Sequence, residues 1–134
     1  MGKLLLGIDI GTYSSKGVLC RPNGEIIAQA VVEHGISIPQ PGFAEHDPDA
    51  IWWADLCVIS KNLTAKVTTG DQVVGVAVSA LGACLLPVDE RGKPLRPAIL
   101  YGIDTRAVPQ IEELEQEYSS KSLIEFSGMR LSTQ

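Results

Sequence analysis

Leu4-Leu5-Leu6-Gly7-Ile8-Asp9-Ile10-Gly11-Thr12-Tyr13-Ser14-Ser15-Lys16 is the stretch that decides the fold. Its apolar run is too short for a soluble helix or a membrane span, and Gly11 punctuates its end. The run predicts a buried strand that carries one carboxylate, Asp9, at its C-terminal end. Charges are rarely buried unless paired or metal-bound. Gly11 lets the backbone approach a ligand closely. Thr12, Tyr13, Ser14 and Ser15 add hydroxyl groups and N–H donors suited to phosphate oxygens. Asp9 could hold a magnesium ion through water, because Mg2+ gives up its hydration shell reluctantly. Two readings stand at this point: a nucleotide-phosphate and metal site, or a solvated aspartate at a strand end in a glycine turn.

Downstream, residues 15–20 read as a second strand. Asn23-Gly24 is a hairpin signal, since both residues accept positive φ, and residues 25–32 return as a third strand. These three form an antiparallel meander with Asp9 at its first corner. Residues 34–46 contain Pro39, Pro41 and Gly42, show no period, and are expected to be a loop. His34 and His46 read as solvated loop histidines and Glu45 as a loop residue. Asp47-Pro48-Asp49 starts a helix with a carboxylate N-cap, proline at the first helical position and acid in the positive first turn. That helix is expected to reach about residue 67. Trp52, Leu56, Ile59 and Leu63 lie on one face, Trp53 and Cys57 lie beside that stripe, and both tryptophans read as core.

Residues 73–79 are apolar and small. They predict a central strand buried on both faces and parallel to the first. A turn at 80–83, a strand at 84–88 and a short edge ending in Ile99-Leu100-Tyr101 follow. Asp104 or Thr105 could cap the next helix, or Pro109 could mark its first turn; Ile111, Leu114 and Tyr118 form its apolar side. Ser122-Leu123-Ile124-Glu125 reads as a capping box for a last short helix that Gly128 ends. The fold class is therefore α/β with a mixed sheet, antiparallel at one side and parallel at its centre. The ribonuclease H-like and actin-like ATPase architectures share this order, with a metal-binding aspartate ending strand one.

A chain of 134 residues, 45% apolar and 20% charged, suits a single globular domain. The net charge of −5, from 11 basic against 16 acidic residues, argues against a nucleic-acid partner. Cys20, Cys57 and Cys84 are widely spaced among apolar residues and read as buried free thiols of a reducing compartment. Neither a signal peptide nor a transmembrane helix is visible, so no membrane partner is expected and the chain reads as cytoplasmic.

Three blocks carry a family resemblance. Gly7-Ile8-Asp9-Ile10-Gly11-Thr12 resembles the first phosphate motif of the FGGY carbohydrate kinases, the family of xylulokinase, gluconokinase and glycerol kinase. Pro41-Gly42-Phe43-Ala44-Glu45-His46-Asp47-Pro48, followed by Trp52-Trp53, looks like that family's PGW-E-x-DP…WW segment. Leu95-Arg96-Pro97-Ala98-Ile99-Leu100-Tyr101, then Asp104-Thr105-Arg106, is similar to its RPAILW-x-D-x-R stretch. The resemblance implies ATP-dependent phosphorylation of a sugar or polyol hydroxyl in the cleft between two actin-like domains. It places Asp9 at Mg2+ and the transferring phosphate, and Thr12 near the γ-phosphoryl. Gly11, Ser14, Ser15 and Lys16 complete the ATP-binding set. Tyr101 stands where the family usually has a sugar-facing tryptophan, with Asp104 and Arg106 lining or supporting the sugar pocket. The alternatives for these three are an edge-strand aromatic, a helix cap and the cap's surface partner.

Two departures qualify the resemblance. Where xylulokinases carry Gln-Met-His and glycerol kinases Arg-Glu, this chain has Ala80 and Leu81, which offer no hydrogen bond at the substrate-facing position. The family's catalytic base and adenosine-binding second domain match nothing in residues 1–134. The chain therefore reads as an incomplete first domain, the N-terminal piece of a sugar kinase, inactive alone and prone to self-association through uncovered apolar surface. The alternatives are a non-catalytic sugar- or protein-binding module and a ribonuclease H-like metal-dependent nuclease.

Overall fold

The computed structural model describes residues 2–133. The meander forms as expected: β1 (Gly2–Ile10), β2 (Ser14–Cys20) and β3 (Ile26–Glu33) pair antiparallel in sequence order. In β1 the pleat sends Leu4, Leu6, Ile8 and Ile10 to one face, each no more than 5% exposed. Lys3, Leu5 and Asp9 stand on the other face and are exposed.

The covering element is α1 (Ala54–Thr64), entered through a wide π-type turn over Pro48–Trp53. Asp47 caps that turn as its sequence predicts, accepting from the N–H groups of Asp49 and Ala50 at 3.0 and 2.9 Å. Ile59 and Leu63 join Leu4, Leu6, Ile8, Ile10 and Leu19 in the core, and Trp52 and Leu56 pack against it. Gly17 lets the helix come this close. A Cβ there would run into Ile59 Cγ2 and lie 2.9 Å from Leu63 Cδ1. Trp53 is not core; it sits one residue off the stripe and is 63% exposed. The helix ends at Thr64, short of residue 67.

β5 (Asp71–Ala80) runs parallel to β1, with a bulge opposite Leu4 and Leu5, in the strand order β3-β2-β1-β5. It is an edge strand here rather than a doubly buried one. Val74, Val76 and Val78 are 50%, 63% and 54% exposed, because α1 lies over β1, β2 and β3. The thiols also depart from expectation: all three are free, but Cys57 is exposed and the others are half-buried.

A two-stranded ribbon joins β4 (Glu45–His46) to β6 (Ala98–Ile99). The expected strand at 84–88 is reduced to single bridges from Leu85 to Ile99 and from Val88 to Pro94, and Tyr101 falls in the turn beyond β6. Helix α2 (Val108–Glu117) starts at Ala107 with no side-chain cap, so neither Asp104 nor Thr105 caps it, and Pro109 lies in its first turn. Helix α3 (Ser120–Ser127) is capped by Ser119, three residues before the expected Ser122; Ser119 Oγ accepts from the Ser122 N–H at 3.2 Å. Gly128 ends it at φ 80°, as expected.

Candidate functional site

At the end of β1 the chain reverses in a tight turn, with the Gly11 N–H donating to the Ser14 carbonyl at 3.1 Å. A Cβ on Gly11 would lie 2.7 Å from that carbonyl oxygen, so close approach requires glycine here. Thr12 and Ser14 are half-buried, and Tyr13 is exposed. Ser15 has turned to the helix side. It is fully enclosed, and its hydroxyl donates to Asp55 Oδ2 at 2.7 Å, so it supports the turn from beneath instead of facing a phosphate.

The two histidines are not solvated. The His34 side chain is 7% exposed; its Nδ1 stands 2.8 Å from Asp55 Oδ2 and its Nε2 3.0 Å from the Gly11 carbonyl. Its main-chain N–H donates to the Tyr13 carbonyl at 3.0 Å. His46 is fully buried, edge-on to His34 at 5.1 Å between ring centroids, and its Nδ1 accepts from the Trp52 indole N–H at 3.0 Å. His46 therefore carries its proton on Nε2, which has no hydrogen-bond partner among the described residues. Burial, and then the charge of His34, hold its pKa below the ordinary imidazole value against smaller opposing effects of the Thr12 backbone and Asp55. Sequence spacing gave no sign of this pair, because the partner aspartate comes from a helix 21 residues after His34.

On the other face, pairing places Asp9 between Lys16 on β2 and Ser79 on β5, with Val31 beyond Lys16. This row lines a shallow depression floored by Gly7 and Ala77. Asp9 and Lys16 are exposed. No hydrogen bond or ion pair engages the Asp9 carboxylate among the described residues, and no group of three metal-ligating side chains forms among them. A lone, solvent-facing carboxylate beside a tight glycine turn fits Mg2+, which keeps several waters and takes one or two carboxylates. Leu81 closes the neighbouring turn: its N–H donates to the Ile10 carbonyl at 3.0 Å, which sets residues 80–83 beside the Gly11 turn. Both turns follow the carboxyl ends of parallel strands, where open α/β sheets bind ligands.

The remaining candidates form a second group. Asp104 is 5% exposed. Its carboxylate accepts from the Ala44 N–H at 2.7 Å, the Arg106 N–H at 3.0 Å, and Arg106 Nε and Nη2 at 2.7–2.9 Å. Arg106 Nη2 and Arg96 Nη2 both donate to Glu45 Oε1, at 2.8 and 2.7 Å, and the Arg106 guanidinium stacks 3.9 Å over the Phe43 ring. Glu45 is thus a buried ion-pair partner rather than a loop residue. Burial pushes the Asp104 pKa up, but hydrogen bonds from Arg106 and Ala44 and the Arg106 charge outweigh it and hold the carboxyl below its ordinary range. Asp104 in turn raises Arg106. Tyr101 is 49% exposed on the turn this cluster braces. β4 links the two groups: successive strand residues point to opposite faces, so Glu45 meets the arginines while His46 meets His34.

Residues 4–134 match the FGGY family of carbohydrate kinases, N-terminal domain. The chain is 29% identical over 123 residues to the xylulose kinase of Staphylococcus xylosus, covering 92% of this chain and 25% of that protein. The crystal structure of xylulose kinase from Rhodospirillum rubrum superposes with a TM-score of 0.80 at 30% identity, over 90% of this chain and 25% of that one. Glycerol kinase from Plasmodium falciparum, solved with ADP, shares the fold at a TM-score of 0.82 and 24% identity, over 98% and 26% of the two chains. The chain spans about a quarter of the length of the relatives it matches. Its mixed sheet and flanking helices are an N-terminal portion of the actin-like ATPase fold of such kinases.

Proposed function

Because this chain belongs to the FGGY family of carbohydrate kinases, we propose that it serves ATP-dependent phosphorylation of a sugar or polyol hydroxyl, with residues 1–134 supplying the phosphate-facing part of a first domain. The observation that carries this reading is the Asp9 carboxylate, unpaired among the described residues, beside the Gly11–Ser14 turn and opposite Lys16 in the strand register. Phosphoryl transfer asks chiefly for positioning and charge neutralisation. Asp9 would hold Mg2+, which when bound would supply neutralisation of phosphate charge. Thr12 offers its main-chain N–H and hydroxyl and Ser14 its hydroxyl to the phosphates, Gly11 keeps the turn tight by giving its own N–H to the Ser14 carbonyl, and Lys16 adds a cation. Leu81 presents an apolar side chain toward the acceptor, and Tyr101 offers an aromatic surface. Asp104 and Arg106 act together: their hydrogen bonds are largely spent on each other, on Ala44 and on Glu45, so they shape the Tyr101 loop.

Neither alternative, nuclease or binding module, is favoured by the comparisons. The test is calorimetric titration of the 134-residue chain with pyrophosphate, the part of the nucleotide this turn would meet, in the presence and absence of Mg2+. Asp9→Asn removes a charge-assisted contact of about 1.5–3 kcal/mol, so Mg2+-dependent affinity should fall about tenfold or more. Wild-type binding that ignores both Mg2+ and this substitution overturns the reading.

A further inference from the structure

The buried His34 stands outside everything assigned above, yet it touches the proposed phosphate turn at two points. Its ring nitrogens face two acceptors. The Gly11 carbonyl can only accept, so Nε2 carries a hydrogen. Asp55 Oδ2 already receives the Ser15 hydroxyl and lies 2.8 Å from Nδ1. With an acceptor facing each ring nitrogen, the ring is placed to donate at Nδ1 as well as at Nε2, and both side chains are enclosed, at 7% and 8% exposure. The other titratable group against the ring is His46 from β4, held neutral by its bond from Trp52.

We propose that His34 is a positioning residue of the phosphate turn: a charged clamp that draws the Gly11 and Tyr13 carbonyls inward onto its ring and main-chain N–H. The proposal rests on the reading of that turn as a phosphate site. Its chemical logic lies in the trans peptide, where C=O and N–H point in opposite directions. No cis bond occurs among the described residues, so holding the Gly11 carbonyl on His34 directs the Thr12 N–H away from the helix. Carbonyl oxygens left facing the ligand would repel phosphate; carbonyls held inward leave N–H groups to meet it. Asp55 and Ser15 complete the clamp from the helix side.

Nitrogen-15 NMR of the histidine-labelled 134-residue chain at neutral pH reads the charge directly. His34 is expected to show hydrogens on both ring nitrogens and His46 on Nε2 alone; a neutral His34 overturns the clamp. The double substitution Asp55→Asn with His34→Gln removes both charges together, which avoids stranding one of them in the interior. With the fold verified by circular dichroism, its affinity for Mg2+-pyrophosphate should drop about tenfold and amide exchange at Gly11 should accelerate. Unchanged affinity and unchanged exchange overturn the proposal. If the wild-type chain itself binds no pyrophosphate, the phosphate-site reading fails separately, and Gly11 exchange alone decides whether His34 holds the turn.

Discussion

Single positions in this chain are set by space or by charge, and each kind gives its own prediction. At Gly17 the constraint is space. The side chain of Gly17→Ala must displace Ile59 and Leu63 of α1, and overpacking of this sort costs about 1–3 kcal/mol. Chemical denaturation should show that loss with an unchanged slope, while Gly35→Ala, where nothing lies within 4 Å and the backbone is not left-handed, meets no such conflict. At Asp104 and His46 the constraint is charge. The Asp104 pKa is lowered on folding, so its stabilisation is fully present above the ordinary value of 3.8 and is lost as pH falls through the lower folded value. His46 is neutral in both states well above its ordinary value of 6.5. Below that value the unfolded chain binds a proton that the folded chain disfavours, so stability falls with falling pH. Melting temperature against pH should therefore decline first below about 6.5 and again in the carboxylate range. His46→Gln should remove the first decline and Asp104→Asn the second.

Elements were legible where local chemistry decides them. The meander could be read from the glycine punctuation and the Asn23-Gly24 turn, and the start of α1 from Asp47-Pro48, because capping and turn formation involve near neighbours in sequence. Coverage was not legible. The small apolar residues of β5 resemble those of a doubly buried strand, but what lies over a strand is set by elements elsewhere in the chain. Here α1 is spent on the other three strands. The cap of α3 lies three residues before the serine its capping-box pattern points to, for a related reason: Ser119 and Ser122 both have the chemistry of a cap, and geometry selects Ser119. β5 yields a direct test. Val76→Lys, on a strand residue 63% exposed, should change the stability of this chain by less than about 0.5 kcal/mol. A charged edge also resists strand-to-strand pairing, so the same variant should lower any concentration-dependent association seen by sedimentation. A monomer at every concentration in the wild type contradicts that expectation of self-association.

For the whole molecule, one buried core under α1 and a second, polar cluster around Glu45, Asp104 and Arg106 meet at β4. Because the 134 residues span about a quarter of the kinases they match, the purified chain is expected to consume no ATP with any sugar or polyol. Sugar-dependent turnover by the purified 134 residues would contradict this. The sequence by itself determined the glycine turn after β1, the strand–strand–strand–helix order and the family blocks, because hydrophobic period, capping and short motifs are local properties of a chain. Only tertiary structure decided that His34 and His46 are buried, that Ser15 turns to Asp55, that Glu45 pairs with two arginines, and that β5 stands at an edge. His34, Ser15 and Glu45 each depend on a partner more than 20 residues away, and burial and charge pairing become visible only once folding has brought such partners together.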